Sequence, residues 1–303
     1  MRAVKYQRTG GPEVLSLVEV PNPEPGAGEV VVRVRAAGLN PFDAKLRSGF
    51  IPSDAPFPRR IGSDVAGFVV STGADAQYWD GTPVSVGDDV LGRAAGSVAE
   101  LAVAKASDLA RCPAGLQVEA AGGLNVAGLT AVSVLATVPV GAGDTVLVGG
   151  AAGAVGLVVA QLAVRAGARV IGTASERNHG LLRSVGVESV SYGDGLADRV
   201  RALGSVTVVY DCHGRDALDA GVELVVPVER MVAIAAYDAI EELGVQNVER
   251  EARTASNLAR LAEDIAAGRL VFPVARTFTL DEAVPAFQAL ESAHAPGKIV
   301  ITP

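Results

Sequence analysis

The sequence predicts an α/β protein in two parts, a β-rich domain and a domain built on a doubly wound parallel sheet. Three observations carry this. Short strand-like runs broken by Gly, Pro and Asp occupy the chain to about residue 112, and strand and helix patterns alternate from about Pro113. A glycine cluster also sits where one such strand meets one such helix. The 303 residues are enough for two domains of ordinary size. Apolar residues make up 49% and charged residues 20%, as in a packed globular protein, and with aromatics at 4% the core falls to Ala, Val and Leu.

In the β-rich part, Val30, Val31, Val32 and Val34 form a strand run ended by Ala36-Ala37-Gly38. Pro21 to Gly26 contains three prolines, which remove three donors, and reads as a turn-rich connector. Ala76 to Val86, with Tyr78, Trp79 and Asp80-Gly81, reads as a surface loop. Beyond it, Thr145–Val148 is a buried strand and Val155–Ala166 a helix with Leu157, Ala160, Gln161 and Val164 on one stripe. Arg169–Thr173 is the second strand, Asn178–Val185 a short helix, and Val206–Tyr210 and Arg230–Ala236 are further strands. Ala255–Ala267 shows Leu258, Leu261, Ala262 and Ile265 at helical spacing, with Gly268 just past its end. Thr279-Leu280-Asp281-Glu282 is a capping box opening a helix that contains Pro285, and Gly297 to Ile301 closes the chain as a strand.

The bulk charge excludes some partners. A net charge of −8 with no Lys/Arg block offers a phosphate backbone nothing to bind, so no nucleic-acid partner is expected. Two cysteines, Cys112 and Cys212, do not make a disulfide framework. The N-terminal residues Met1 to Arg8 contain no apolar signal-peptide core, which predicts a cytoplasmic location. Thr145 to Val164 carries no charge and is long enough to span a bilayer, but Gly149, Gly150, Gly153 and Gly156 at its centre make it strand, turn and helix, so no membrane association is expected.

Gly150, Gly153 and Gly156 are spaced three apart, after a strand and at the start of a helix. A pyrophosphate binds unpaired N–H groups at such a helix start, and a side chain in the turn would block its approach. Gly150, Ala152, Gly153, Ala154, Val155 and Gly156 are therefore cofactor-binding candidates; the competing reading is a tight strand-to-helix turn with no ligand. The second strand ends in Thr173-Ala174-Ser175-Glu176-Arg177. An NAD site usually has an acidic residue at that strand end, whereas Ser175 and Arg177 suit the 2′-phosphate of NADPH. Glu176 is the counter-indication, and Arg177 also reads as an ordinary surface charge.

Together these residues suggest a family. Gly149-Gly150-Ala151-Ala152-Gly153-Ala154-Val155-Gly156 followed by Val159-Ala160-Gln161-Leu162-Ala163 resembles the zinc-independent quinone oxidoreductase branch of the medium-chain dehydrogenases/reductases. Ala36 to Lys45, Gly62-Ser63-Asp64-Val65-Ala66-Gly67, Gly87 to Gly92 and Gly297-Lys298-Ile299-Val300 resemble it too, so the likeness runs over nearly the whole chain. It implies a GroES-like β-rich catalytic domain (residues 1–112 and 271–303) around a Rossmann domain (residues 113–270), and a homodimer. It also implies roles: Asn40 and Asp43 match the family's cleft asparagine and aspartate, Thr130 a threonine near the nicotinamide, and Tyr192 a tyrosine beside the adenosine phosphate. Without the resemblance, Thr130 reads as a helix residue bonded to its own backbone and Tyr192 as a half-buried packing residue.

Lys45 and Ile51 stand where the bacterial quinone reductases carry two tyrosines, and the Asn-Pro-x-Asp-x-Lys form looks more like the enone and alkenal reductases. Lys45 joins Asn40 and Asp43 as a catalytic candidate, its ammonium meeting the substrate carbonyl, against the plainer reading of a Lys45–Asp43 surface pair. Zinc-dependent relatives use a Cys and a Gly-His-Glu motif where this chain has Asn40 and Gly62-Ser63-Asp64, so no metal is expected. Cys212 and His213 read as strand neighbours on opposite faces, and His179 and His294 as solvated helix residues. The resemblance implies an NADPH-dependent oxidoreductase acting on a small-molecule quinone or enone. A dedicated enoyl reductase of a biosynthetic pathway and a non-catalytic, crystallin-like NADPH-binding protein are the alternatives.

Overall fold

The computed structural model describes residues 1–292 and 297–303; His294 lies outside the described residues. By packing, the chain divides into two units. One is Met1–Ala127 with Thr254–Arg269 and Pro273–Pro303, and the other is Gly128–Arg253 with Leu270–Phe272. The first part of helix Val118–Thr137 and all of helix Ala255–Ala266 thus pack with the β-rich unit, although their composition matches the α/β texture around them. Helix Val118–Thr137 is the described helix long and apolar enough to cross a membrane. Its most apolar window is 72% buried, as in a core helix.

The β-rich unit is organised around strand Glu29–Gly38, which pairs antiparallel with Asp64–Thr72, Leu101–Lys105 and the closing strand Lys298–Thr302. Val30, Val32 and Val34 alternate with exposed Arg33 and Arg35 along part of its length, and residues buried on both faces fill the rest. Its core gathers Val65, Val69 and Val90 with Phe278, Phe287 and Ile301 from the chain's last segment. The register Val300↔Gly38 and Ile301↔Ala37 brings the end of the chain beside the residues that precede Asn40. The capping box at Thr279 is present, and Pro285 falls in the first turn of helix Ala283–Glu291, where no intrahelical donor is lost.

One local expectation changes. The stretch after Gly38 is not a further strand but helix Pro41–Ser48. Pro41 stands at its first turn, Asp43 in its negatively favoured N-terminal turn, and Gly49 in the left-handed conformation (φ 86°) beyond its end.

The second unit is a six-stranded, wholly parallel sheet. Numbered along the chain, Thr145–Gly149, Arg169–Thr173, Glu188–Val190, Val208–Asp211, Met231–Ala233 and Gln246–Asn247 lie in the order 3-2-1-4-5-6. The strand order reverses between Thr145–Gly149 and Val208–Asp211, and ligands of such sheets bind outside the carboxyl ends at that point. The uncharged stretch from Thr145 folds as strand Thr145–Gly149, a turn and helix Ala154–Arg165. On that helix the buried Gln161 carboxamide pairs with both backbone groups of Val271, at 2.8 and 2.9 Å, which ties Leu270–Phe272 to this unit.

Candidate active site

In the α/β unit, the glycine turn lies at the carboxyl end of the first strand. Gly150 takes φ +67°, its N–H donates to Thr173 Oγ1 at 2.9 Å, and Ala151 N–H donates to Thr173 O at 2.9 Å. A Cβ on Gly150 would lie 2.5 Å from His213 Cβ. One on Gly156 would lie 2.3 Å from the Gly150 carbonyl oxygen, a backbone atom that cannot turn aside. Helix Ala154–Arg165 begins at Gly153 with no side-chain cap, and its first closing bond runs from Leu157 N–H to Gly153 O at 2.9 Å. The amides of Ala154, Val155 and Gly156 are thus the first-turn donors of an uncapped helix, the usual setting for a bound phosphate. Ala152 is buried beside them.

The second and third strands end in the other predicted cofactor residues. Ala174 is buried at the end of strand Arg169–Thr173, Ser175 is half-buried, and the acidic Glu176 is exposed with Arg177 in a short 3-10 turn. Asn178 Nδ2 donates to Ser175 Oγ at 3.1 Å, holding that turn. Tyr192 is exposed just after strand Glu188–Val190, and not half-buried as a packing residue would be. Thr130 is buried in helix Val118–Thr137. Sequence reading missed Asp211. Its buried carboxylate accepts from His213 and Gly214 N–H at 2.8 and 2.6 Å and from Ala235 and Ala236 N–H at 3.0 and 2.9 Å. Those bonds anchor two loops at the carboxyl ends of adjacent strands. Cys212 and His213 follow this strand's end rather than lie on it, and His179 Nε2 sits 3.2 Å from Ala174 O instead of being solvated.

In the β-rich unit, Asn40 and Asp43 come together, and four side chains that were not candidates, Ser63, Asp64, Asn125 and Lys298, come with them. Asp64 is fully buried. It accepts from Asn40 Nδ2 (3.1 Å), Lys298 Nζ (3.1 Å), Asn125 Nδ2 (3.1 Å) and Val126 N–H (2.9 Å). The Lys298 ammonium also donates to Asn40 Oδ1. Asp43 Oδ2 accepts from Asn40 N–H at 2.9 Å, and Oδ1 accepts from Ser63 Oγ at 3.3 Å. Burial, and then the charge on Asp64, push the Asp43 carboxyl up to about 7, while the Asn40 N–H and the Lys298 ammonium pull the other way. This group can therefore hold or release a proton near neutral pH. Lys45 is half-buried on the same helix, its Nζ 5.5 Å from the Phe50 ring centroid.

Asp64 and Lys298 left a trace in the sequence. Each is a charged residue next to an apolar strand run, Val65-Ala66 and Ile299-Val300-Ile301. Among the described residues no group of three or more His, Cys, Asp or Glu side chains could hold a metal ion.

Comparisons with known proteins agree with this architecture. A family model described as alcohol dehydrogenase GroES-like domain matches residues 26–114, and one described as zinc-binding dehydrogenase matches residues 186–301. The chain is 35% identical over 235 residues to a quinone oxidoreductase of Pseudomonas aeruginosa, covering 75% of this chain and 70% of that one. It is 33% identical over 319 aligned positions to the chloroplastic NADPH-dependent alkenal/one oxidoreductase of Arabidopsis thaliana, covering 100% and 80%. A mycobacterial protein solved in complex with NADPH is 32% identical, with a TM-score of 0.86 and full coverage of both chains. With its GroES-like and Rossmann-type parts and these relatives, the chain belongs to the quinone oxidoreductase and alkenal reductase branch of the medium-chain dehydrogenases/reductases.

Proposed function

We propose that this oxidoreductase reduces a quinone, or the activated C=C bond of an α,β-unsaturated carbonyl, with NADPH and without a metal. The observation that carries the reading is the glycine turn at the sheet's reversal point, beside a second strand that ends in Ser175 and Arg177. NADPH, when bound, supplies the hydride. The chain's own residues do the rest. The amides of Ala154, Val155 and Gly156 hold the pyrophosphate, and Gly150, Ala152 and Gly153 leave it room. Ser175 and Arg177 hold the 2′-phosphate, Tyr192 stands at the adenosine side, and Thr130 serves the nicotinamide end. Lys45 offers its ammonium to the substrate oxygen as negative charge develops there. Asp43 keeps a proton near neutral pH, and the Ser63 hydroxyl bonded to it gives that proton a way out. Family likeness also supports a homodimer, with sizing in solution as its check.

Cofactor choice tests the reading. Arg177→Ala should weaken NADPH binding about tenfold to a hundredfold, as loss of a charge-assisted hydrogen bond does, and leave NADH binding nearly unchanged. Fluorescence titration of both dinucleotides measures this. Equal losses for the two would show that Arg177 does not read the 2′-phosphate.

A further inference from the structure

Lys298 is a buried lysine on the closing strand, only 3% exposed, and it takes no direct part in the proposed reaction. Its surroundings are built for a lysine. A Cβ on Gly123 would lie 2.6 Å from Lys298 Cγ, and one on Gly38 would lie 2.8 Å from Lys298 Cε. The aliphatic stem therefore runs through a slot that stays open because both walls are glycine. At its end the ammonium meets Asn40 Oδ1 and Asp64 Oδ2. Asp64 in turn holds Asn40 Nδ2, so both ends of the Asn40 carboxamide are fixed by one ion pair.

The surrounding charges make that ammonium the counter-charge of the cluster. Asp43, Lys45 and Arg47 come from helix Pro41–Ser48, and the buried Arg47 is engaged by Glu291 and Gly10 O. Asp64 comes from strand Asp64–Thr72. Helix Val118–Thr137 contributes the neutral Asn125, and its single charged residue is Glu119. Two buried carboxylates without a cation between them would each oppose the other's ionisation.

We propose that Lys298 is a positioning residue of this site: its ammonium, admitted between Gly38 and Gly123, clamps the Asn40 carboxamide against Asp64 and balances the Asp43–Asp64 pair. The role in turnover rests on the reductase reading, whereas the electrostatic role does not. Without the cation, Asp43 keeps its proton to higher pH.

The direct test is the Asp43 carboxyl titration, followed by 13C NMR in aspartate-labelled protein and assigned with Asp43→Asn. In Lys298→Met the midpoint should rise by at least about one pH unit, and Lys298→Arg should bring it back toward wild type. No turnover is needed, so failure of the reductase reading would leave this outcome standing. If turnover is found, the alkaline limb of its pH profile should move up with the same midpoint, which a purely structural lysine would not cause. A second variant covers the case in which Lys298→Met does not fold. Gly123→Ala keeps the charge but obstructs the stem, so it should lower Tm and, by displacing the ammonium, leave the Asp43 midpoint above the wild-type value. An unmoved Asp43 midpoint in Lys298→Met would overturn the proposal, as would an unmoved midpoint in Gly123→Ala where Lys298→Met does not fold.

Discussion

Lys45→Met is expected to lower enone turnover by about 10²–10³ while NADPH affinity stays nearly unchanged, the size of effect seen when one donor to a developing oxyanion is lost. The substitution is mild for the fold. Lys45 is half-buried, and Met keeps the stem that lies toward Phe50. An exposed cation–π contact of this kind is worth about 0.5–1 kcal/mol, too little to unfold the helix. Steady-state kinetics with an enone, together with NADPH titration, measure both quantities. Turnover close to wild type would move the polarising role elsewhere, and Asn40 is not well placed to inherit it. Its amide hydrogens go to Asp64 Oδ2 and Gly38 O, and its oxygen is taken by Lys298. The Asp43 carboxyl, which keeps its proton near neutral pH, would then be the donor to test.

Asp43→Asn should lower turnover by about 10²–10⁴, the range for general acid catalysis, and should also change how stability depends on pH. The folded-state carboxyl sits at about 7, above its ordinary value of 3.8. Between those values the folded protein holds a proton that the unfolded chain has released, so stability falls as pH rises through this window. The favourable state is fully present below about pH 4 and lost above about pH 7. Asn removes the ionisation yet can still accept from Asn40 N–H, and the Ser63 hydroxyl can turn to meet its amide. Denaturant titrations should therefore give a flatter profile for Asp43→Asn between pH 4 and 7. At pH 8 the variant should be the more stable protein, by on the order of a few kcal/mol. A pH slope like that of wild type would mean Asp43 is already ionised in this window.

How much of this was legible in the sequence depends on how far apart the interacting residues lie. The first strand, glycine turn and helix of the α/β unit were readable because every signal falls between Thr145 and Ala166. Helix Pro41–Ser48 was missed although Pro41 and Gly49 mark its ends, because Leu46 is its one long aliphatic side chain and it shows no helical stripe. The Lys298–Asn40 contact spans 258 positions, and it arises from the register of the closing strand against Glu29–Gly38. No local pattern encodes that register. Asp211 was hidden for a similar reason: two of its four donors come from a loop beyond the next strand. What was visible was a lysine and an aspartate bordering apolar runs, residues that are costly to bury unless paired.

The central claim, metal-free hydride transfer from NADPH, is tested most directly on enzyme dialysed against a strong chelator and checked for zinc. NADPH oxidation is then followed with a matched set of quinones and enones, using cofactor protiated or deuterated at the transferred position. The account predicts undiminished turnover with at least one acceptor class and a slower rate with deuterated NADPH. Turnover that vanishes in chelator and returns with added zinc would contradict it.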